Sequence, residues 1–246
     1  MGAILNNTVY EMPITVNSDI CTLGKIKISK LMKLHEKIGE LHLNVFGTES
    51  EILRDSCGAA FIFTKCNILV HRLPLENEEI VLKTWCSELK GVRFTRNYQT
   101  FDSLGNALTE AKCEVTTIDI ASRKIIRPST IPGFDGFLYN NEQENSCEKP
   151  QKIELPEELP LVGVKKIEKA DFDDNNHVNN TVYADIMYNF LPREVDFGAV
   201  KGFSINFVSE VLDCEEISVY RCDVKNGVKF LGKLADREVF RGQISF

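Results

Sequence analysis

Apolar residues at Leu31, Leu34, Ile38, Leu41 and Val45 recur in steps of three and four, which draws one stripe down a helix over about 28–46. Gly47 follows where a C-terminal cap belongs. From Ala59 to about Pro128 the pattern changes to strands. AAFIFTKCNILVHRL, EEIVLKTWCSEL, RFTRNYQTF and ALTEAKCEVTTIDI are short runs rich in β-branched and aromatic residues, separated by turn signals at Pro74, at Lys90-Gly91 and at 102–106. One helix followed by antiparallel strands is an α+β pattern. The stretch 133–160 then carries seven acidic residues against Lys149 and Lys152, with little periodicity, and reads as a linker.

Beyond the linker the first half recurs. Val182, Ile186 and Phe190, with Tyr183 and Met187 beside them, define a shorter amphipathic helix that Pro192 ends. Strand-like segments follow at 202–211, 216–224, 229–234 and 238–246. NILVHRLPLENEEIVL (67–82) lies without a gap on SINFVSEVLDCEEISV (204–219), an offset of 137, with Ile68/Ile205, Leu75/Leu212, Glu78/Glu215, Glu79/Glu216 and Ile80/Ile217 coincident. The chain is therefore expected to hold two copies of one α+β unit, 1–135 and 159–246, joined by 136–158.

Composition excludes several classes. The 246 residues are 43% hydrophobic and 26% charged, an ordinary globular balance. A net charge of −7 argues against nucleic acid as the main partner. The eight cysteines include no C-x-x-C pair, so neither a disulfide framework nor a structural zinc site is expected, and no cofactor motif replaces them. No apolar run approaches the ~20 residues of a membrane span. The opening 19 residues lack a basic start followed by an apolar stretch, so a cytoplasmic protein is expected. In that compartment the sequons Asn6-Asn7-Thr8 and Asn179-Asn180-Thr181 are coincidences. His35 and His42, seven apart on the first helix, are too distant to share a metal and read as surface or core-edge residues.

The densest polar cluster, Asp171 to Asn180, stands immediately before the second helix. Asp171, Asp173 and Asn175 match positions 1, 3 and 5 of a calcium loop, but Asn176 and Val182 stand where that loop needs Gly and Glu. An Asx-rich turn with Asn179 or Asn180 as helix cap explains part of the run. One cap needs one such residue, however, and the cluster also holds His177, the one histidine of the second half.

FDDNNHVNNTVY resembles the D-x-N-x-H-V-N-N-x-x-Y motif of the acyl-ACP thioesterases. Val70-His71-Arg72-Leu73-Pro74 with Glu78-Glu79 and Thr84-Trp85, and Ile118-Asp119 to Ser122-Arg123-Lys124 with Arg127-Pro128, are similar to further stretches of that family. The resemblance implies a tandem hotdog fold, each unit a long helix wrapped by an antiparallel sheet. It also implies hydrolysis of fatty acyl-ACP to free fatty acid in fatty acid biosynthesis. Matched by position, the family's catalytic residues fall on Asp173, Asn175, His177 and Glu210. Relatives carry a cysteine after that glutamate. Here Val211 stands there and Cys214 lies three residues on, which points away from a thiol nucleophile.

The residue types suit the chemistry. A carboxylate such as Glu210 serves as base towards water or attacks directly, a second such as Asp173 fixes the imidazole tautomer, and Asn175 with helix N-terminal N–H groups faces the oxyanion. No Gly-rich phosphate loop and no G-x-S-x-G elbow is present. Acyl-CoA hydrolysis and a non-catalytic acyl-thioester sensor are the alternatives, although a sensor has no need for all four residues. The implied partner is acyl carrier protein, with Arg123, Lys124, Arg127, Lys165, Lys166 and Lys169 as the candidate basic surface. Because single hotdogs pair, a tandem chain supplies its own partner, leaving monomer and homodimer both open.

Overall fold

The computed structural model describes residues 3–5, 8–45, 49–131, 139–173 and 175–246. Two strands, β1 (Ala3–Leu5) and β2 (Val9–Thr15), precede a minimal hairpin of β3 (Cys21–Thr22) and β4 (Lys25–Ile26). Then come α1 (Ile28–Val45), α2 (Ser50–Cys57), β5 (Ala59–Val70), β6 (Glu79–Lys90), β7 (Arg93–Asp102), β8 (Ala107–Asp119) and the short β9 (Ile125–Ile126). The second half holds β10 (Leu161–Lys166), α3 (Asn180–Asn189), β11 (Gly202–Phe207), β12 (Glu216–Val224), β13 (Gly227–Leu234) and β14 (Arg237–Ser245). Phe46 and Gly47, the expected end and cap of the first helix, lie outside the described residues.

Eleven strands run β1-β2-β6-β7-β8-β5-β11-β14-β13-β12-β10 in one antiparallel sheet, with β9 attached to β8. The order is a mirror about the β5–β11 seam, where β8 answers β14, β7 answers β13 and β6 answers β12. The register carries the same symmetry. Asn67 pairs with Ser204, its own counterpart under the 137-residue offset, while Ile68 pairs with Phe203 and Cys66 with Ile205. A pseudo-twofold axis therefore passes through the Asn67–Ser204 pair.

Helices α1 and α3 pack against one face of this sheet and against each other, and one apolar cluster runs through both halves, from Ile28, Leu31 and Ile38 to Ile186, Phe203 and Phe240, with a smaller second cluster around Leu53 and Cys86 in the first half. On the opposite face the stretch 139–160 is without helix or strand, yet it is no loose linker. Asn145 donates to the Ala111 carbonyl at 3.0 Å, Ser146 N–H to buried Glu110 at 2.8 Å, and Ile153 N–H to Asn206 Oδ1 at 2.7 Å. It is a strap tied across strands of both units, which satisfies polar side chains that the sheet would otherwise bury unpaired.

One expectation is corrected on α1. His35 and His42 are buried at the centre of its packed face, whereas Leu34 and Leu41 are half-buried and Val45 is exposed. The His35 ring stacks on Tyr98, centroids 4.4 Å apart and planes at 7°, and its two ring nitrogens find no hydrogen-bond partner among the described residues. His42 Nδ1 accepts from Arg96 Nη1 at 3.2 Å. Burial pushes His35 down to about 3. Burial, then the Arg96 charge, push His42 down to about 3 as well.

A pH dependence follows. Unfolded histidines titrate near 6.5, so between that pH and 3 the unfolded chain binds protons that the folded chain does not. These two residues leave stability unaffected above about pH 7 and lower it as pH falls through the unfolded value, by at most about 1.4 kcal/mol per pH unit for each. Thermal melts at pH 7.5 and pH 5 should therefore give a lower Tm at the acid end, and His35→Phe should narrow the gap. An unchanged gap in that variant would exclude His35 as a source.

No helix among the described residues is long and apolar enough to cross a membrane.

Candidate active site

The polar run before α3 folds as a stapled loop. Phe172 and Val178 form an isolated bridge, the Asp173 N–H donates to the His177 carbonyl at 2.8 Å, and the Asn176 N–H donates to the Asp173 carbonyl at 3.0 Å. Asp173 Oδ1 accepts from the backbone N–H groups of Asn175 at 2.9 Å and His177 at 3.1 Å. Its observed bonds are thus to the loop backbone rather than to the imidazole. Asn179 caps α3, its Oδ1 accepting from the Thr181 N–H at 2.9 Å and the Thr181 hydroxyl at 2.7 Å. The Val182 N–H goes to the Asn179 carbonyl at 3.0 Å, so two donors of the first helical turn are already engaged.

Glu210 stands where the chain leaves β11. The N–H groups of Val208 and Ser209 both donate to the Val239 carbonyl, at 2.8 and 3.2 Å, and the Ser209 hydroxyl donates to the Glu238 carbonyl. Val211 is buried, and its carbonyl accepts from the N–H of buried Val178 at 3.0 Å. That one bond joins two distant segments through their apolar residues and leaves the preceding side chains, His177 and Glu210, side by side. Their Nε2 and Oε2 atoms are 3.7 Å apart.

The first half reaches into this site. Arg123, from the β8–β9 turn, binds Glu210 with both terminal guanidinium nitrogens, Nη1 at 3.0 Å to Oε1 and Nη2 at 2.9 Å to Oε2. Arg54, on α2, donates to Asn175 Oδ1 at 3.3 Å. An arginine can only donate, so the Asn175 oxygen faces Arg54 and its NH₂ group is turned away as a donor. Arg237 donates to the Glu210 carbonyl at 2.8 Å. The three arginines flank Glu210 and Asn175 without any sequence signal for it, since Arg123 and Glu210 are 87 residues apart. A further acid lies nearby. Glu36 on α1 is held above the usual carboxylate range by burial, opposed by Lys33 and by a bond from Asn179, with the Asp173 charge adding to the rise.

The structure thus brings His177 and Glu210 together, leaves Asn175 exposed and bonded to Arg54 in the loop that carries His177, and puts Asp173 in the same loop facing the backbone. Cys214 is exposed in the following turn. Two expected docking cations are engaged elsewhere, because Arg123 is paired with Glu210 and Lys165 with Asp171 at 2.9 Å. Lys124, Arg127, Lys166 and Lys169 are exposed. Among the described residues no group of three or more His, Cys, Asp and Glu side chains is placed to hold a metal ion.

The chain's fold is shared with solved proteins. It superposes on an acyl-ACP thioesterase from Bacteroides thetaiotaomicron with a TM-score of 0.88 at 18% identity, covering 98% of both chains. It superposes on the 12:0-ACP thioesterase from Umbellularia californica with a TM-score of 0.83 at 15% identity, covering 99% of this chain and 98% of that one. The architecture is the tandem hotdog that the sequence resemblance implies. Among curated relatives, the oleoyl-acyl carrier protein thioesterase 1 of Arabidopsis thaliana is 22% identical over 145 residues, which is 55% of this chain and 40% of that protein. The corresponding protein of Coriandrum sativum is 23% identical over 148 residues, 55% of this chain and 39% of it. The match thus spans about two fifths of these relatives. The family model described as the acyl-ACP thioesterase N-terminal domain matches residues 7–130, and that described as the C-terminal domain matches residues 164–239. With both domains present in order and the pseudo-dyad between them, this chain belongs to the acyl-ACP thioesterase family.

Proposed function

We propose that the protein hydrolyses the thioester of a fatty acyl group carried on acyl carrier protein, releasing free fatty acid within fatty acid biosynthesis. Residues 1–135 and 159–246 act as its two hotdog units, joined by 136–158, and Asp173, Asn175, His177 and Glu210 carry the reaction. The observation that supports this most is the His177–Glu210 pair, 3.7 Å apart at the seam between the halves and beside the α3 N-terminus. That separation is too long for a direct hydrogen bond and suits one water touching both groups.

In the reaction that water loses a proton to the pair as its oxygen attacks the thioester carbonyl carbon. The carbon–sulfur bond then breaks, and the proton passes to the departing thiolate. The outward NH₂ of Asn175 faces the developing oxyanion. Asp173 holds the loop that sets His177. The acyl chain enters between α1 and the sheet, past Met32, Phe63 and Phe207, where a small cavity adjoins Asn180 at the head of α3. Lys124, Arg127, Lys166 and Lys169 offer charge to acidic acyl carrier protein, so the exposed cations rather than the paired ones steer docking. All eight cysteines are free, which accords with a reducing compartment such as the cytoplasm. Because the seam pairs the two units within one chain, a monomer suffices.

Matched acyl-ACP and acyl-CoA substrates test this directly. The expected result is turnover of both with a clear preference for acyl-ACP. Equal turnover would reassign the carrier, and binding without turnover would make the protein a sensor. Cys214→Ala should retain wild-type kcat, since Val211 occupies the place next to Glu210 and is buried. A folded Cys214→Ala protein without activity would restore a thiol mechanism.

A further inference from the structure

Arg123 does something that neither the motif nor a docking role requires. It sits in the turn after β8 with a φ of 58°, a left-handed conformation that costs a non-glycine residue about 1 kcal/mol. The turn is tied down around it. Asp119 Oδ1 accepts from the Ser122 N–H at 2.7 Å and the Ser122 hydroxyl at 2.6 Å. The Asp119 N–H donates to the Lys124 carbonyl at 2.9 Å, and the Ile120 N–H to the Gly58 carbonyl at 2.8 Å. From that fixed base the guanidinium crosses to the other half of the molecule and grips the Glu210 carboxylate at two points, 3.0 and 2.9 Å. Glycine would suit the backbone better, so the side chain is what the position serves.

The grip has a geometric consequence. A lone glutamate with an exposed side chain samples several rotamers. Two parallel N–H···O bonds fix both the position and the plane of the carboxylate, which a single cation on a flexible stem does not do. Arg237 fixes the same residue's carbonyl at 2.8 Å. Together they hold the carboxylate so that Oε2, bonded to one Arg123 nitrogen, also faces His177 Nε2, while Oε1 is bonded to the other.

We propose that Arg123 is a positioning residue, supplied by the N-terminal unit, that sets the Glu210 carboxylate against His177 for thioester hydrolysis; the inference rests on the hydrolase reading above. It also gives the tandem arrangement a task at the site, since the unit without the motif provides the clamp. Other charges around Glu210 are Arg237, Asp213 and Glu215, which line the same cleft. None of them is placed on the carboxylate as Arg123 is.

The test compares Arg123→Gly, Arg123→Lys and wild type on acyl-ACP and acyl-CoA. Arg123→Gly should lower kcat about 10- to 100-fold on both substrates, with KM nearly unchanged, because a misplaced catalytic group costs rate rather than ground-state binding. Its Tm should not fall, since glycine relieves the left-handed backbone while one exposed ion pair is lost. Arg123→Lys should recover part of the rate, and millimolar guanidinium chloride should rescue Arg123→Gly where sodium chloride does not. Loss confined to KM for acyl-ACP would make Arg123 a docking residue and overturn the proposal, as would a kcat equal to wild type or a loss that neither lysine nor guanidinium relieves. Should wild type itself cleave no thioester, the hydrolase reading is what fails; an active wild type beside an unimpaired Arg123→Gly defeats this inference alone.

Discussion

Replacing His177 or Glu210 by alanine is expected to lower kcat by about 10²- to 10⁴-fold, the scale for a positioned acid or base. Both side chains are partly exposed, at 31% and 41%, so neither substitution opens a core cavity and the variants should melt near wild type. The double variant should be little worse than either single one, since each group acts through the other. Asp173 separates from them. Its Oδ1 accepts two backbone N–H groups, and an asparagine oxygen accepts the same two. Asp173→Asn should therefore be milder than Asp173→Ala, which loosens the loop carrying His177. Steady-state rates on one acyl-ACP, with circular dichroism to verify folding, decide the matter. Folded alanine variants with wild-type kcat would remove His177 and Glu210 from the reaction.

Residues 1–135 or 158–246 expressed alone should aggregate. The seam between β5 and β11 buries Ile68, Phe203 and Ile205 almost completely, and each fragment would present that apolar strand as an open edge. The strap adds to the loss. Its bonds to Ala111 at 3.0 Å and from Asn206 to the Gln151 carbonyl at 3.0 Å tie it to opposite units, and neither fragment keeps both. Size-exclusion chromatography should show large species or no soluble material for each fragment, and co-expression should recover a complex of the two. Two separately soluble fragments with cooperative melts would show that each unit has a sufficient core of its own.

Elements that pack an apolar face were visible from pattern, whereas elements held mainly by polar contacts were not. α1, α3 and β5 to β8 show their periods because each presents a core face. α2 buries Leu53 alone and so has no stripe to read. β10 is an edge strand of sequence LVGVKK whose outer residues Leu161 and Val164 remain exposed, which leaves no alternation to recognise. The strap fails in the opposite direction. Its acidic, aperiodic composition reads as solvent-borne, but Cys147 and Ile153 are buried, and the side-chain amides of Asn67 and Asn206 in the sheet supply partners for its backbone.

His35 and His42 show the same limit on a single helix. Seven residues apart, they read as surface or core-edge residues, yet both are buried. Tyr98 and Arg96, arriving from β7, meet the two rings inside the core.

By itself the sequence determined the repeat pattern, its offset, a helix cap at Asn179 or Asn180 and the polar motif with its histidine, because all of these are local periodicities or short spacings. Tertiary structure decided which groups meet. The Val178–Val211 bond brings His177 to Glu210, the folded β8–β9 turn brings Arg123 across 87 residues, and the Asp173 carboxylate turns to its own backbone. Contacts of that kind depend on where a sheet ends and which way a turn points, and the pattern of a single chain carries no trace of either.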